Sequence, residues 1–205
     1  MSSYIVDNML YKDEDIDSDQ REIMMFGVTR VLEDTPKYVL IFVISILLGI
    51  LKEVGIVLLI ATIYKTFLGG AHARTNITCF IFSSIFFITP ALISKYIQLN
   101  DMVFYIGLVL VNLFSLYVIL KYAPSDTEEV PVLNKNKRKT MKILAIISQI
   151  IIDISLVLFI KNNVIRQIIL ITMLYSNFTA TNIAYKILRC TRSKDSEEFS
   201  KYFEK

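Results

Sequence analysis

Long apolar blocks constrain the fold of this chain more than any other sequence feature. They are separated by short polar segments and lie at residues 38–51, 54–68, 78–94, 102–120, 141–160 and 164–188. Hydrophobic residues make up 54% of the sequence, which is a high share for a water-soluble domain. Because apolar stretches of about 20 residues are typical of membrane-spanning helices, we predict an all-α membrane protein.

The first two apolar blocks are shorter than the rest. Lys52 and Glu53 divide them into arms of about 14 and 15 residues, and as helices these arms would each be about 21–22 Å long. The hydrocarbon core of a bilayer is about 30 Å thick, so the arms form either two short helices or a re-entrant hairpin. We predict about six transmembrane or re-entrant helical segments in all.

The segment that precedes the first apolar block is polar, and we expect no cleavable signal peptide in it. Apolar side chains nevertheless recur there at helical spacing, namely Met24, Met25, Val28, Val31 and Leu32. This pattern predicts an N-terminal amphipathic helix that lies in the cytoplasmic membrane interface, clasps a peptide or packs on the helical bundle. We expect Pro36 to end this helix before the first block.

Basic residues are concentrated in one loop, residues 121–142, and in the C-terminal tail. The loop residues are Lys121, Lys135, Lys137, Arg138, Lys139 and Lys142. By the positive-inside rule, this loop and the C-terminus lie in the cytoplasm. An even number of crossings by residues 38–68 would place the N-terminus there too. We therefore expect a multi-pass protein of the cell membrane, with the lipid bilayer as a partner and no nucleic acid.

The same pattern divides the chain into three parts. Residues 1–37 form a cytoplasmic N-terminal segment, residues 38–188 the helical membrane domain, and residues 189–205 a cytoplasmic tail.

The only histidine of the chain lies seven residues before one of its two cysteines. His72 and Cys79 occur where a glycine-broken polar sequence becomes apolar. A thiol nucleophile with an imidazole base would need these two residue types close together, although a single pair also falls this close by chance. On one continuous helix the two residues would differ in height by about 10.5 Å, whereas a base must approach its nucleophile to about 3 Å.

A reactive pair therefore requires a break in the helix. Gly69 and Gly70 supply the conformational freedom for that break, so we predict His72 in a loop and Cys79 in the first turn of the next helix. We expect Asn76 to cap that helix. The positive end of the helix dipole, with Arg74 nearby, would favour the thiolate that attacks as nucleophile.

The other polar residues leave several interpretations open. Asn76, Glu53 and Asp153 are candidates for a group that orients the imidazole. Polar residues within the apolar blocks either hydrogen-bond between helices or line a polar path; they are Asn112, Gln149, Asp153, Asn177 and Asn182. One histidine and two distant cysteines do not form a zinc site, and we expect no metal or other cofactor.

Two motifs resemble those of the AgrB family, the accessory-gene-regulator membrane peptidases of Gram-positive quorum sensing. One is Gly69-Gly70-Ala71-His72-Ala73 with Cys79 seven residues after the histidine. The other is the loop Ala123-Pro124-Ser125-Asp126-Thr127-Glu128-Glu129-Val130-Pro131 with the basic cluster that follows it.

The resemblance implies that Cys79 is the nucleophile and His72 its base. The expected activity is that of a cysteine endopeptidase that removes the acidic C-terminal tail of an AgrD-like propeptide. The signal peptide would remain on the enzyme as a thioester and then cyclise to a thiolactone or lactone.

The resemblance also assigns candidate substrate-binding residues. The basic cluster Lys135, Lys137, Arg138 and Lys139 would hold the acidic tail, and Arg74 and Lys65 are the other candidates. Family members often carry an arginine shortly before the glycine pair, where Lys65 is the nearest base in this chain. Lysine keeps the positive charge of arginine but lacks its bidentate fork. A homodimer and export of the product are left open. A small peptide transporter and a non-catalytic membrane scaffold are the rival interpretations.

Overall fold

The structure, a computed structural model, describes residues 18–73, 75–128 and 131–195. Its helices are α1 (Ser18–Leu47), α2 (Leu51–Leu68), α3 (Asn76–Tyr96), α4 (Asp101–Tyr122), α5 (Lys135–Leu158), α6 (Asn163–Thr179) and α7 (Asn182–Leu188), followed by a 3-10 turn at Ser193–Asp195. The described residues contain no β-strand, which confirms the all-α class. Of these helices, α3, α4 and α5 are long and apolar enough to cross a membrane. The total of six segments stays a prediction.

Pro36 does not end the N-terminal helix, so the prediction from the sequence is wrong at this point. The helix runs for 30 residues with Pro36 inside it. Proline removes one backbone hydrogen bond from a helix. The residues after Pro36 are apolar, and they keep the other helical hydrogen bonds because unpaired backbone groups are costly in an apolar environment. Among the described residues, α1 forms one compact unit and the chain from Leu48 onwards a second.

The break between α1 and α2 lies a few residues earlier than the charged pair suggested. Gly49 adopts a positive φ of 64°, and α2 begins at Leu51. Lys52 and Glu53 are therefore part of the first turn of α2 and do not separate two helices.

The second unit is built around α6. This helix packs against α2, α3 and α4, while α2 also packs against α3 and α5. Its core is apolar and includes Leu68, Val118, Leu156, Met173 and Ala180, all buried. Because successive helices run in opposite directions, the ends of α2, α4 and α6 and the starts of α3 and α5 lie at the same end of the bundle.

Polar side chains inside the bundle join helices to one another. The Tyr64 hydroxyl donates to Asn177 Oδ1 at 3.1 Å, and Asn177 Nδ2 donates to Ser115 Oγ at 2.6 Å. These contacts connect α2, α6 and α4. Between α4 and α5, Asn112 Nδ2 donates to the carboxylate of Asp153 at 3.3 Å and Gln149 Nε2 donates to Asn112 Oδ1 at 2.7 Å. Within α5, Gln149 Nε2 also donates to Asp153 at 3.1 Å.

The last apolar block forms two helices where we predicted one. Helix α6 ends at Thr179, and α7 starts at Asn182 with Thr181 as its N-cap. The Thr181 hydroxyl accepts a hydrogen bond from the Ala184 amide. A threonine hydroxyl can replace a backbone carbonyl as the partner of a helical amide and so start a new helix. Hydropathy does not contain this information, so the break was not predicted.

Candidate functional site

Three segments meet at the end of the bundle where α2 finishes, and we call them together the hub: residues 69–71, 123–127 and 179–192. The Gly70 amide donates to the Ser125 carbonyl at 2.8 Å, and the Ser125 amide donates to the Leu68 carbonyl at 2.8 Å. The Ala71 amide donates to the Thr179 carbonyl at 2.9 Å. The chain that leaves α2 is therefore held between the loop after α4 and the end of α6.

The glycine pair allows this close approach. Gly69 has φ 76° and ψ −158°, a combination that is accessible essentially to glycine alone. A Cβ atom on Gly69 would lie 2.2 Å from the Ser125 carbonyl oxygen, and one on Gly70 would lie 2.8 Å from Thr179 Oγ1. A side chain at Gly69 would push the Ser125 backbone away, and one at Gly70 would displace the Thr179 side chain.

His72 and Cys79 follow the hub segment directly. His72 is exposed in the non-helical stretch after Ala71. Cys79 is half-buried in the first turn of α3, where its amide donates to the Thr75 carbonyl at 2.9 Å. The structure thus places the histidine in a loop and the cysteine on a helix.

The cap of α3 is Thr75, one residue before the Asn76 that we predicted. Thr75 has extended backbone geometry, and its hydroxyl accepts from the Thr78 amide at 3.3 Å. Asn76 is already the first helical residue, so its side chain is not in the capping position. Arg74 lies outside the described residues.

Lys65 lies beside the glycine pair and the Phe86 ring. It lies in the last turn of α2, and a Cβ on Gly70 would come within 3.4 Å of its Cε atom. Its ammonium nitrogen lies 4.8 Å from the centre of the Phe86 ring.

The basic cluster divides into two kinds of residue. Lys135, Lys137 and Lys139 are exposed on the first turns of α5. Arg138 is instead almost buried: its guanidinium donates to Asp126 Oδ2 at 2.6 Å and also to the carbonyls of Val132 and Pro124. Arg138 thus holds the loop after α4, and Asp126 neutralises its charge.

The C-terminal segment belongs to the hub, which we did not foresee from the sequence. The Arg192 guanidinium stacks on the Tyr185 ring at 4.0 Å and on the Tyr122 ring at 4.7 Å, and it donates to the Ala180 carbonyl. The Tyr185 hydroxyl donates to the Asp126 carbonyl at 3.0 Å. In the sequence, Arg192 is only one base among several, and no local pattern distinguishes it.

Two of the candidate orienting groups lie far from the hub. Glu53 is in the first turn of α2, about 22 Å along the helix from Leu68. Asp153 is about 27 Å along α5 from Lys135, and its carboxylate bonds to Asn112 and Gln149. Neither can orient His72. Within the described residues, no group of three or more His, Cys, Asp or Glu residues could hold a metal ion.

Comparison with known proteins gives a consistent result. The family model described as "Accessory gene regulator B" matches residues 2–180. An AgrB-like protein of Clostridium acetobutylicum is 26% identical over 87% of this chain and 82% of its own length. AgrB-like proteins of Listeria monocytogenes (24% identical, 92% of this chain, 91% of the relative) and Clostridium perfringens (28%, 84% and 90%) also match. No solved structure matches the chain.

Proposed function

The chain belongs to the accessory gene regulator B (AgrB) family, and on that premise we propose that it is a membrane-embedded cysteine endopeptidase that cleaves and cyclises a quorum-sensing propeptide. Family membership supports a role in the accessory gene regulator system, association with a membrane, and an AgrD-like propeptide as partner. The observation that carries the catalytic proposal is the placement of Cys79, half-buried in the first turn of α3 and directly after the loop that holds His72.

The first half of the reaction forms an acyl-enzyme. His72 takes the proton from the Cys79 thiol, and the thiolate attacks the carbonyl carbon of the scissile peptide bond. The positive end of the α3 dipole lies beside the charge that the sulfur carries during the attack. When the carbon–nitrogen bond breaks, the imidazolium returns its proton to the amine of the leaving tail. The signal segment then remains on Cys79 as a thioester.

The second half of the reaction releases the signal segment as a ring. A thiol or hydroxyl within the bound segment attacks the thioester carbonyl, and the bond to the Cys79 sulfur breaks. The proton of the attacking group passes through His72 to the departing thiolate, which restores the free enzyme. Water is the competing nucleophile, so cyclisation requires a site from which water is largely excluded.

The leaving tail interacts with the basic residues of α5. The exposed side chains of Lys135, Lys137 and Lys139 present clustered positive charge that attracts an acidic peptide. Arg138 has a different part, because its guanidinium is committed to Asp126 and the loop after α4. Arg74 adds a further positive charge between His72 and Cys79 in the sequence.

Intact mass spectrometry of the purified protein, incubated with its propeptide, tests this function. We expect an adduct lighter than the full propeptide, which hydroxylamine removes and which Cys79→Ala abolishes. Cys190→Ala is the matched control, because it removes the only other thiol of the chain and should retain the adduct. A folded wild-type protein that forms no adduct and releases no tail would favour the transporter or scaffold interpretation.

A further inference from the structure

An aromatic cavity of about 470 Å³ opens beside the candidate site, between α3, α4 and α6. It is lined by Phe82, Ile85, Phe86, Phe114, Leu174, Tyr175 and Phe178. Its volume lies within the usual range of ligand pockets, about 300–1,000 Å³, and its walls carry almost no polar atoms. The proposed catalytic steps make no use of this cavity.

The cavity lies on the same face of α3 as the nucleophile. Phe82 and Phe86 follow Cys79 by three and seven residues, and residues at this spacing share one side of a helix. The two rings are therefore about 4.5 and 10.5 Å deeper along the helix axis than Cys79. An extended peptide advances about 3.3 Å per residue, so one to three residues attached at Cys79 would reach them.

Two contacts make the cavity continuous with the site. The Phe86 ring forms part of the cavity wall and also lies under the Lys65 ammonium, and the Cε atom of Lys65 lies 3.4 Å from the position of a Cβ on Gly70. Phe82 and Phe178 line the cavity and also pack against the buried cluster that contains Ala71, the neighbour of His72. Aromatic side chains of α3 and α6 thus join the surroundings of Ala71 and Lys65 to the cavity.

The charge of the substrate decides which part of it enters the cavity. An acidic tail would be drawn to the lysines at the start of α5 and would be repelled by an apolar cavity, since burying an unpaired charge is costly. The residues before the scissile bond are then the part of the substrate left to lie along the Cys79 face of α3, where the apolar cavity is. We propose that this cavity is a specificity subsite for a large apolar side chain immediately before the scissile bond, the part of the substrate that becomes the thioester.

This inference rests on the proposed function, and it adds a consequence for the intermediate. An apolar side chain in the cavity would anchor the acyl group while the tail departs. It would also displace water from the neighbourhood of the thioester, which favours cyclisation over hydrolysis.

A paired substitution tests the subsite. Ile85 lines the cavity, whereas Ile81, one turn away on α3, does not; both side chains are 53% exposed. Ile85→Trp should fill the cavity, and Ile81→Trp is the matched control of equal size and exposure. The substrates are propeptides that differ only in carrying leucine or alanine immediately before the scissile bond, and the measurement is kcat/KM for tail release.

We expect wild type and Ile81→Trp to prefer leucine by at least about tenfold, because a hydrophobic pocket discriminates missing methylenes by that order. In Ile85→Trp the preference should fall to about threefold or less, or reverse. An unchanged preference in Ile85→Trp would overturn the proposal. This includes the case in which kcat/KM falls equally for both substrates, the result expected if a lipid chain occupies the cavity. If Cys79 forms no adduct with any peptide, the proposed function itself fails, whereas an adduct formed equally well with both peptides contradicts the subsite alone.

Discussion

Replacing Gly69 by alanine tests whether the hub depends on close backbone approach. The added Cβ would lie 2.2 Å from the Ser125 carbonyl oxygen, so the segments must separate. The backbone conformation of Gly69 costs a residue with a side chain about 1–3 kcal/mol. Separation also breaks the two hydrogen bonds between Ser125 and residues 68 and 70, each worth about 0.5–1.5 kcal/mol. The expected loss of unfolding free energy is therefore about 2–6 kcal/mol.

The assay is chemical unfolding of the purified protein in detergent, together with propeptide cleavage. Gly55→Ala is the matched control, because Gly55 lies within α2 and a Cβ there meets nothing within 4 Å. Alanine is a better helix former than glycine by about 1 kcal/mol, so this variant should be as stable as wild type or slightly more stable. If Gly69→Ala were as stable and active as Gly55→Ala, the close approach at Ser125 would not hold the site together.

Two further predictions concern the basic cluster. Changing Lys135, Lys137 and Lys139 together to glutamine should raise KM for an acid-tailed propeptide by roughly tenfold at low salt, and much less at high salt, because ions screen exposed charges over about 10 Å at 0.1 M. An equal rise for an uncharged tail would contradict tail binding. Arg138→Gln leaves the Asp126 carboxylate buried without its partner and should lower the unfolding free energy by about 3–5 kcal/mol. Adding Asp126→Asn should restore much of that stability in the same detergent unfolding assay, and a double variant no better than the single one would argue against the ion pair.

The helices were largely predictable from the sequence, whereas their ends were not. Apolar blocks identify α3, α4 and α5 because a helix in an apolar environment needs a long run of apolar side chains. The ends depend on single polar residues. Thr75 and Asn76 are both good caps, and only the extended backbone of Thr75 decides between them. Pro36 costs one hydrogen bond, which is too little to end a helix whose continuation is apolar.

The site was predictable only in its local part. The spacing from Gly69 to Cys79 indicates a loop followed by a helix, because no continuous helix brings His72 and Cys79 together. The contacts of Arg192 with Ala180 and Tyr122 join residues that are far apart in the chain. Such contacts leave no periodicity in the sequence, so the C-terminal part of the hub could be found only from the structure.

In the proposed reaction, the surroundings of Cys79 separate the two products of the first step, the acyl-enzyme and the cleaved tail. Positive charge lies at the start of α5, through Lys135, Lys137 and Lys139, whereas the aromatic cavity lies between α3, α4 and α6, along the Cys79 face of α3. Once cleaved, an acidic tail is not stabilised by the apolar cavity, and it leaves towards the exposed lysines of α5. The acylated segment is retained beside Phe86, where few waters can compete with its own thiol or hydroxyl. The same polarity that selects the substrate would therefore also direct the thioester to ring closure.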